Sequence, residues 1–290
     1  MTRYSSTSDI ASSTFRKKGL VSLLPNGCGS IRCVLAALTI LCLPPCSRAA
    51  GGGPPLPTVL DHVAQQVSNF WNYFPAVTCT EQVTQDKLRD KGKPLFEQRT
   101  SYDYLILLHS SGTEISVDES RIEKGQKATK GKASLLLTDG FAILALIFHP
   151  IYQSSFQFKE LADETQDGRR LIRIEFHHVA GSPSPSVLRL HEREYPLQWQ
   201  GVAWIDADTY AVVRIQAGLG DSMQEVGLLE LNADVTYSTT PFNGTGVAYW
   251  LPSRAVIEAA TKRQHWMNTH VFSDYRRFNV ETEVKTGTPQ

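Results

Sequence analysis

The chain has 290 residues, and its 29 Lys and Arg balance its 29 Asp and Glu at a formal charge of zero. The balance hides two unlike parts: residues 1–49 carry six cations and one anion, and the remainder carries 23 cations and 28 anions. A mildly acidic body excludes the clustered basic excess of a nucleic-acid protein, a 41% hydrophobic content excludes a wholly disordered chain, and no run of about 20 apolar residues is present to span a membrane.

The basic part reads as an export signal. Cys33–Leu43 is an uncharged apolar run of 11 residues, preceded by Arg32 and the Arg16-Lys17-Lys18 cluster. Pro44, Pro45 and Ser47-Arg48-Ala49-Ala50 follow. A basic start, a short apolar centre and small residues at the −3 and −1 positions predict a secretory signal peptide, residues 1–49, cleaved after Ala49. As a helix the run reaches only about 16 Å, too short to anchor the chain across a ~30 Å hydrocarbon core. The mature chain is therefore expected in the periplasm or outside the cell, with no transmembrane span. A start at Val21 would give the leader an ordinary length. Leu43-Pro44-Pro45-Cys46 has the Leu of a lipidation signal, but its prolines replace the small residues that modification of Cys46 requires. Cys28, Cys33, Cys42 and Cys46 all lie in the leader, so Cys79 alone remains, without a disulfide partner or the ligands of a cysteine zinc site.

Residues 50–57, rich in Gly and Pro, read as a flexible linker, and residues 58–290 as a single β domain. Thr58 caps an amphipathic helix whose Val59, Val63, Val67, Phe70, Trp71 and Phe74 fall at spacings of three and four, and Pro75 closes it. From Val77 the period becomes two. Ile172, Ile174 and Phe176 alternate with Arg173, Glu175 and His177; Leu229, Leu231, Ala233, Val235 and Tyr237 alternate with Glu230, Asn232, Asp234 and Thr236. These are antiparallel strands with one wet face. Further strands are expected at Val77–Leu88, Leu95–Leu108, Thr113–Val117, Tyr152–Glu160, Val187–Arg193, Leu197–Asp206, Tyr210–Ala217, Val247–Ala259 and Trp266–Val284, about eleven in all. Phe141–Phe148 breaks the pattern. It is apolar on every side, with Asp139 as its cap and Pro150 as its stop, and predicts a short buried helix covered by a curved sheet.

Trp204-Ile205-Asp206-Ala207-Asp208-Thr209-Tyr210 reads as strand, tight turn and strand, with Asp206 accepting N–H bonds across the turn. This hairpin resembles that of the lipoprotein-carrier family, which includes LolA, LolB and RseB. The order around it is similar too: an amphipathic helix, a run of antiparallel strands, an interrupting apolar helix, then the hairpin and more strands. Ile147–Pro150 and Phe272–Phe278 also resemble segments of exported bacterial proteins of unassigned function. The resemblance implies a mainly β (α+β) fold, an open curved antiparallel half-barrel of about eleven strands cupping one or two apolar helices. It also implies a concavity for acyl chains, and no single residue's role is carried over from it.

Searches for catalytic chemistry return little. Gly125–Ala133 mimics a phosphate loop, but it has five residues between its glycines and Ala133 in place of the hydroxyl. His177 and His178 are adjacent on a strand and point to opposite faces. His177, His191 and Glu175 would make a composite metal site only if their strands pair. No metalloprotease helix and no nucleophile elbow is present, and no cofactor is called for. The candidate ligand-binding residues are apolar: Phe141, Leu144 and Phe148 with Trp204 and Trp250 around a cavity. The reading is an exported, non-catalytic module that binds a lipid or acylated polypeptide. The alternatives are an envelope protein-protein interaction or sensor module whose core is filled by its own helix, and a metal-dependent hydrolase using His177 and His191.

Overall fold

Period-two alternation governs most of the chain beyond Pro75, and there the backbone forms strands. The computed structural model describes residues 53–73, 76–89, 93–111, 114–125, 140–190, 193–241 and 248–277; the leader and most of the linker lie outside them. In chain order the elements are α1 (Leu56–Tyr73), β1 (Ala76–Leu88), β2 (Pro94–Ser111), β3 (Glu114–Glu123), a 3₁₀ helix (Phe141–Phe148) and α2 (Pro150–Gln153). Then come β4 (Phe156–Glu160), β5 (Glu164–Gln166), β6 (Arg169–His178), β7 (Val187–Leu190), β8 (Arg193–Pro196), β9 (Trp199–Asp206) and β10 (Val212–Leu219). The last three strands are β11 (Leu228–Pro241), β12 (Ala248–Thr261) and β13 (His265–Arg277).

Eleven of the strands form one open antiparallel sheet in the order β3-β2-β1-β13-β12-β11-β10-β9-β6-β4, with β5 beside β4 on β6. The fold is mainly β with few helices. Its first strand pairs with its last along almost the whole of β1, from Val77 against Arg277 to Leu88 against His265. Neighbouring strands elsewhere in the sheet are mostly joined by hairpins, so this one pairing stitches an N-terminal meander of three strands to a C-terminal one. Gly201 marks a close approach of β9 to β10: a Cβ there would stand 1.9 Å from the Gln216 carbonyl oxygen. Only glycine fits that position.

One face of the sheet is apolar. Ile174 and Phe176 on β6, Ala203 and Ile205 on β9, Ile215 on β10, Val235 on β11 and Ile257 on β12 all belong to one buried cluster. Val59, Val63 and Val67 of α1 and Leu144–Phe148 pack into the same cluster. The apolar stripe of α1, read from its spacing of three and four, is the face that meets this core. Among the described residues no helix is long and apolar enough to cross a membrane.

Three local expectations are corrected. Val187–Arg193 is two strands, β7 and β8, which pair only with each other in a separate two-stranded sheet. Phe141–Phe148 is the short helix expected, of 3₁₀ type, but its N-terminal cap position is Gly140 at φ 78° with no side-chain bond; Asp139 lies outside the described residues. A sequence apolar on all sides offers no amphipathic stripe with which to select the α period. Pro150 does not end the helical region either. It opens α2, where the missing proline N–H costs nothing and His149 Nδ1 accepts the N–H of Ile151 at 3.3 Å.

Candidate functional site

The inner face is built from two sizes of side chain. Ala203, Ala217, Ala233, Ala255 and Ala259 on β9 to β12 are all buried, and their small size makes a trough between the bulkier Ile215, Val235 and Ile257. The 3₁₀ helix fills that region, packing against β10, β11 and β12 on one side and α1 and α2 on the other. Leu144, Leu146, Ile147 and Phe148 are 0–1% exposed. Phe148 stacks on Phe158 at 5.4 Å and meets Phe176 edge-on at 6.4 Å, which closes the β4–β6 end with aromatic contacts.

Eight residues is long for a 3₁₀ helix, whose hydrogen bonds are poorer than those of an α-helix. This one has no polar side chain of its own. It is held instead by packing and, among the described residues, by two side-chain bonds from outside, one to the helix and one to its cap residue. The Tyr237 hydroxyl accepts the N–H of Ala145 at 3.2 Å, and Glu119 Oε1 accepts the N–H of Gly140 at 2.9 Å.

Glu119 belongs to a buried charged group on the β3-β2-β1-β13 side. Glu81 on β1 accepts from Arg121 Nη2 at 3.1 Å, from Arg121 Nε, and from His270 Nδ1 at 2.8 Å. The Arg121 guanidinium lies 4.4 Å from the Tyr104 ring centre, and its Nη1 is 3.6 Å from Glu119. Burial raises the Glu81 carboxyl, but the bonds from His270 and Arg121 outweigh it and hold the group below its ordinary value. Burial and the charge of Glu81 push the neighbouring Cys79 thiol up to about 12, which makes it a poor nucleophile. The cluster is an ionised carboxylate with its partners engaged, fit for fixing the sheet to the start of the 3₁₀ helix.

Of the residues expected around the cavity, Leu144 and Phe148 lie together in the inner core. Phe141 belongs to the same 3₁₀ helix, and its side chain lies outside those described. Trp250 is half-buried and packs on the edge of that core, with Arg169 5.6 Å from its ring. Trp204 sits on the opposite face of the sheet from Leu144 and Phe148. Its neighbours Ala203 and Ile205 point inward, and Trp204 lies between Arg173 and Arg214 with its Nε1 donating to Glu164 at 2.9 Å. The strand pairing that a composite metal site would require is absent: β6, which carries His177 and Glu175, does not pair with β7 or β8, and His191 lies outside the described residues. Among the described residues no group of three His, Cys, Asp or Glu is placed to hold a metal ion.

Sequence reasoning missed Glu81, Arg121 and His270. For Glu81 alone there was a signal, parity: it stands between Cys79 and Val83 on the inward side of β1, where a charge requires a buried partner.

No family model and no curated protein sequence matches the chain. Several solved structures are similar to it. A DUF1329 family protein from Desulfovibrio piger aligns at a TM-score of 0.41 and 10% identity, over 77% of this chain and 93% of its own. A LolA superfamily protein from Nitrosomonas europaea aligns at 0.36 and 12%, over 78% and 94%. The lipoprotein LppX of Mycobacterium tuberculosis aligns at 0.27 and 13%, over 79% and 100%.

Proposed function

We propose that this protein is an exported, non-catalytic binding module that takes the acyl chains of a lipid or acylated polypeptide into the trough now filled by Phe141–Phe148. The supporting observation is the plug itself, an apolar 3₁₀ helix held almost entirely by side-chain packing. What holds an apolar helix by packing also holds an acyl chain. Arithmetic sets the ligand's size. Exposing Leu144, Leu146, Ile147 and Phe148 costs about 1.5–3 kcal/mol each, roughly 6–12 kcal/mol in all. An acyl chain returns about 0.8 kcal/mol per buried methylene, so roughly 8–15 methylenes are needed to break even. A single octanoyl chain, with about six methylenes, is then too short, and a molecule with two long chains exceeds the threshold.

Native mass spectrometry after gentle purification, with melting temperatures in a monooctanoyl and a dipalmitoyl lipid, tests this. Co-purified lipid, or a melting temperature raised by the long-chain lipid alone, is expected. A protein always free of lipid, with a melting temperature indifferent to both, overturns the reading. That result would favour the second one, an envelope interaction or sensor module with a permanently self-filled core, for which the near-zero exposure of four plug residues speaks. Cross-linking would then capture a protein partner at the surface. Export rests on the leader, and a mature N-terminus at Ala50 in peptide mapping is its expected signature.

A further inference from the structure

The outer face of the sheet carries a groove of about 660 Å³ across four neighbouring strands, β9 to β12. It lies on the side away from the plug. Two cross-strand rows make it. Val202, Gln216, Asp234 and Val256 stand side by side in one, and Gln200, Gly218, Asn232 and Glu258 in the other. An outer sheet face is usually covered by long side chains. Here Val202, Gly218 and Val256 leave a low floor. At Gly218 a Cβ would stand 2.7 Å from Asn232 Oδ1, so the missing side chain is the space over which the Asn232 amide lies.

The charges along the groove are mostly spoken for. Asp234 is held by Arg214, with Nε to Oδ1 at 2.8 Å and Nη2 to Oδ2, and accepts from Gln216 Nε2 at 3.0 Å. Glu258 is held by His265 at 2.6 Å. These engaged carboxylates give no seat to a cation, and their presence beside Arg254 disfavours an anion. What remains is neutral chemistry: the Asn232 amide as donor and acceptor, Gln216 Oε1 as acceptor, and the Arg254 guanidinium as donor. Among the described residues neither Asn232 nor Arg254 makes a side-chain hydrogen bond. A peptide is a poor occupant, because β9 to β12 are interior strands with no free backbone edge for strand addition.

We propose that this groove binds a neutral saccharide chain, read by Asn232, Gln216 and Arg254 over the floor of Val202, Gly218 and Val256. Many hydroxyls, no net charge and a short extended shape are what these groups can satisfy. Four strands at ~4.8 Å spacing give a groove of about 14 Å, the scale of a small oligosaccharide. Its volume lies within the usual range for ligand sites.

Isothermal titration calorimetry on the full chain tests the proposal, with chitotriose, maltotriose and an uncharged Gly-Ser decapeptide as probes. At least one trisaccharide is expected to bind at sub-millimolar concentration, and the peptide not at all. Asn232→Ala and Arg254→Ala, both outward-facing, should each weaken binding about tenfold, the loss of a ligand hydrogen bond. Their circular dichroism should match the parent's. Gly218→Leu fills the floor and should abolish binding; where it disturbs folding, the two alanine variants decide. Silence from both trisaccharides overturns the proposal. So does affinity unchanged in the alanine variants, or binding of the peptide alone.

Discussion

Glu81 is completely buried, yet it is held as an ion. The neutral amide of Gln in its place takes this carboxylate's charge from the buried Arg121 and turns an N–H donor toward the donors of Arg121 and His270. Glu81→Gln is therefore expected to lower stability by about 3–5 kcal/mol at neutral pH in urea denaturation. The pH dependence follows from the direction of the shift. A carboxyl held below 4.5 in the folded state binds its proton more weakly there than in the unfolded chain. Its contribution is complete above that ordinary value and is lost as pH falls through the folded one. The stability gap between Glu81→Gln and the parent should accordingly narrow below pH 4.5, and a gap unchanged down to acid pH would refute the assignment. Parity along β1 made Glu81 legible as inward-facing. Its partners were not legible, because Arg121 and His270 come from strands two hairpins and a whole sheet away in the sequence.

At the scale of elements, the plug decides most. Leu144→Ala should cost about 2–5 kcal/mol, as expected for a fully buried leucine whose surroundings relax only partly. Tyr237→Phe should cost about 1–3 kcal/mol, because it leaves the Ala145 N–H without its acceptor. Thermal melts of both variants check these losses, and a neutral Leu144→Ala would mean the plug is already loose. The strands were legible wherever apolar and polar residues alternate, as in Leu171–His178. The Asp206 turn was legible too: its Oδ1 accepts the N–H of Asp208 at 3.1 Å and of Thr209 at 2.9 Å. The helical type of Phe141–Phe148 was not, since uniform apolarity carries no period. Trp204 misled for a related reason. Its apolar character suggested the core, whereas its position between Ala203 and Ile205 already set it on the other face.

For the whole molecule, the pairing of β1 with β13 matters most. Glu81 and His270 meet across it although they lie 189 positions apart. A chain ending at Thr261, which keeps β12 and loses β13, strands the N-terminal meander of β1 to β3 without a neighbour. It is expected to lose the cooperative thermal transition of the full chain, followed by circular dichroism, and to bind a hydrophobic dye. A truncated chain that melts as sharply as the parent would show that the seam is dispensable. Contacts this distant also place the fold among the slow ones, because the intervening loop must close before they form.

That seam acts as a clock on the molecule's life. A polypeptide made or threaded from its N-terminus offers β1 long before β13, so the sheet stays unfinished until β13 has arrived. A machine that handles the protein as a linear thread therefore meets no completed sheet to pull apart. The finished sheet is reached only when β1 and β13 find each other.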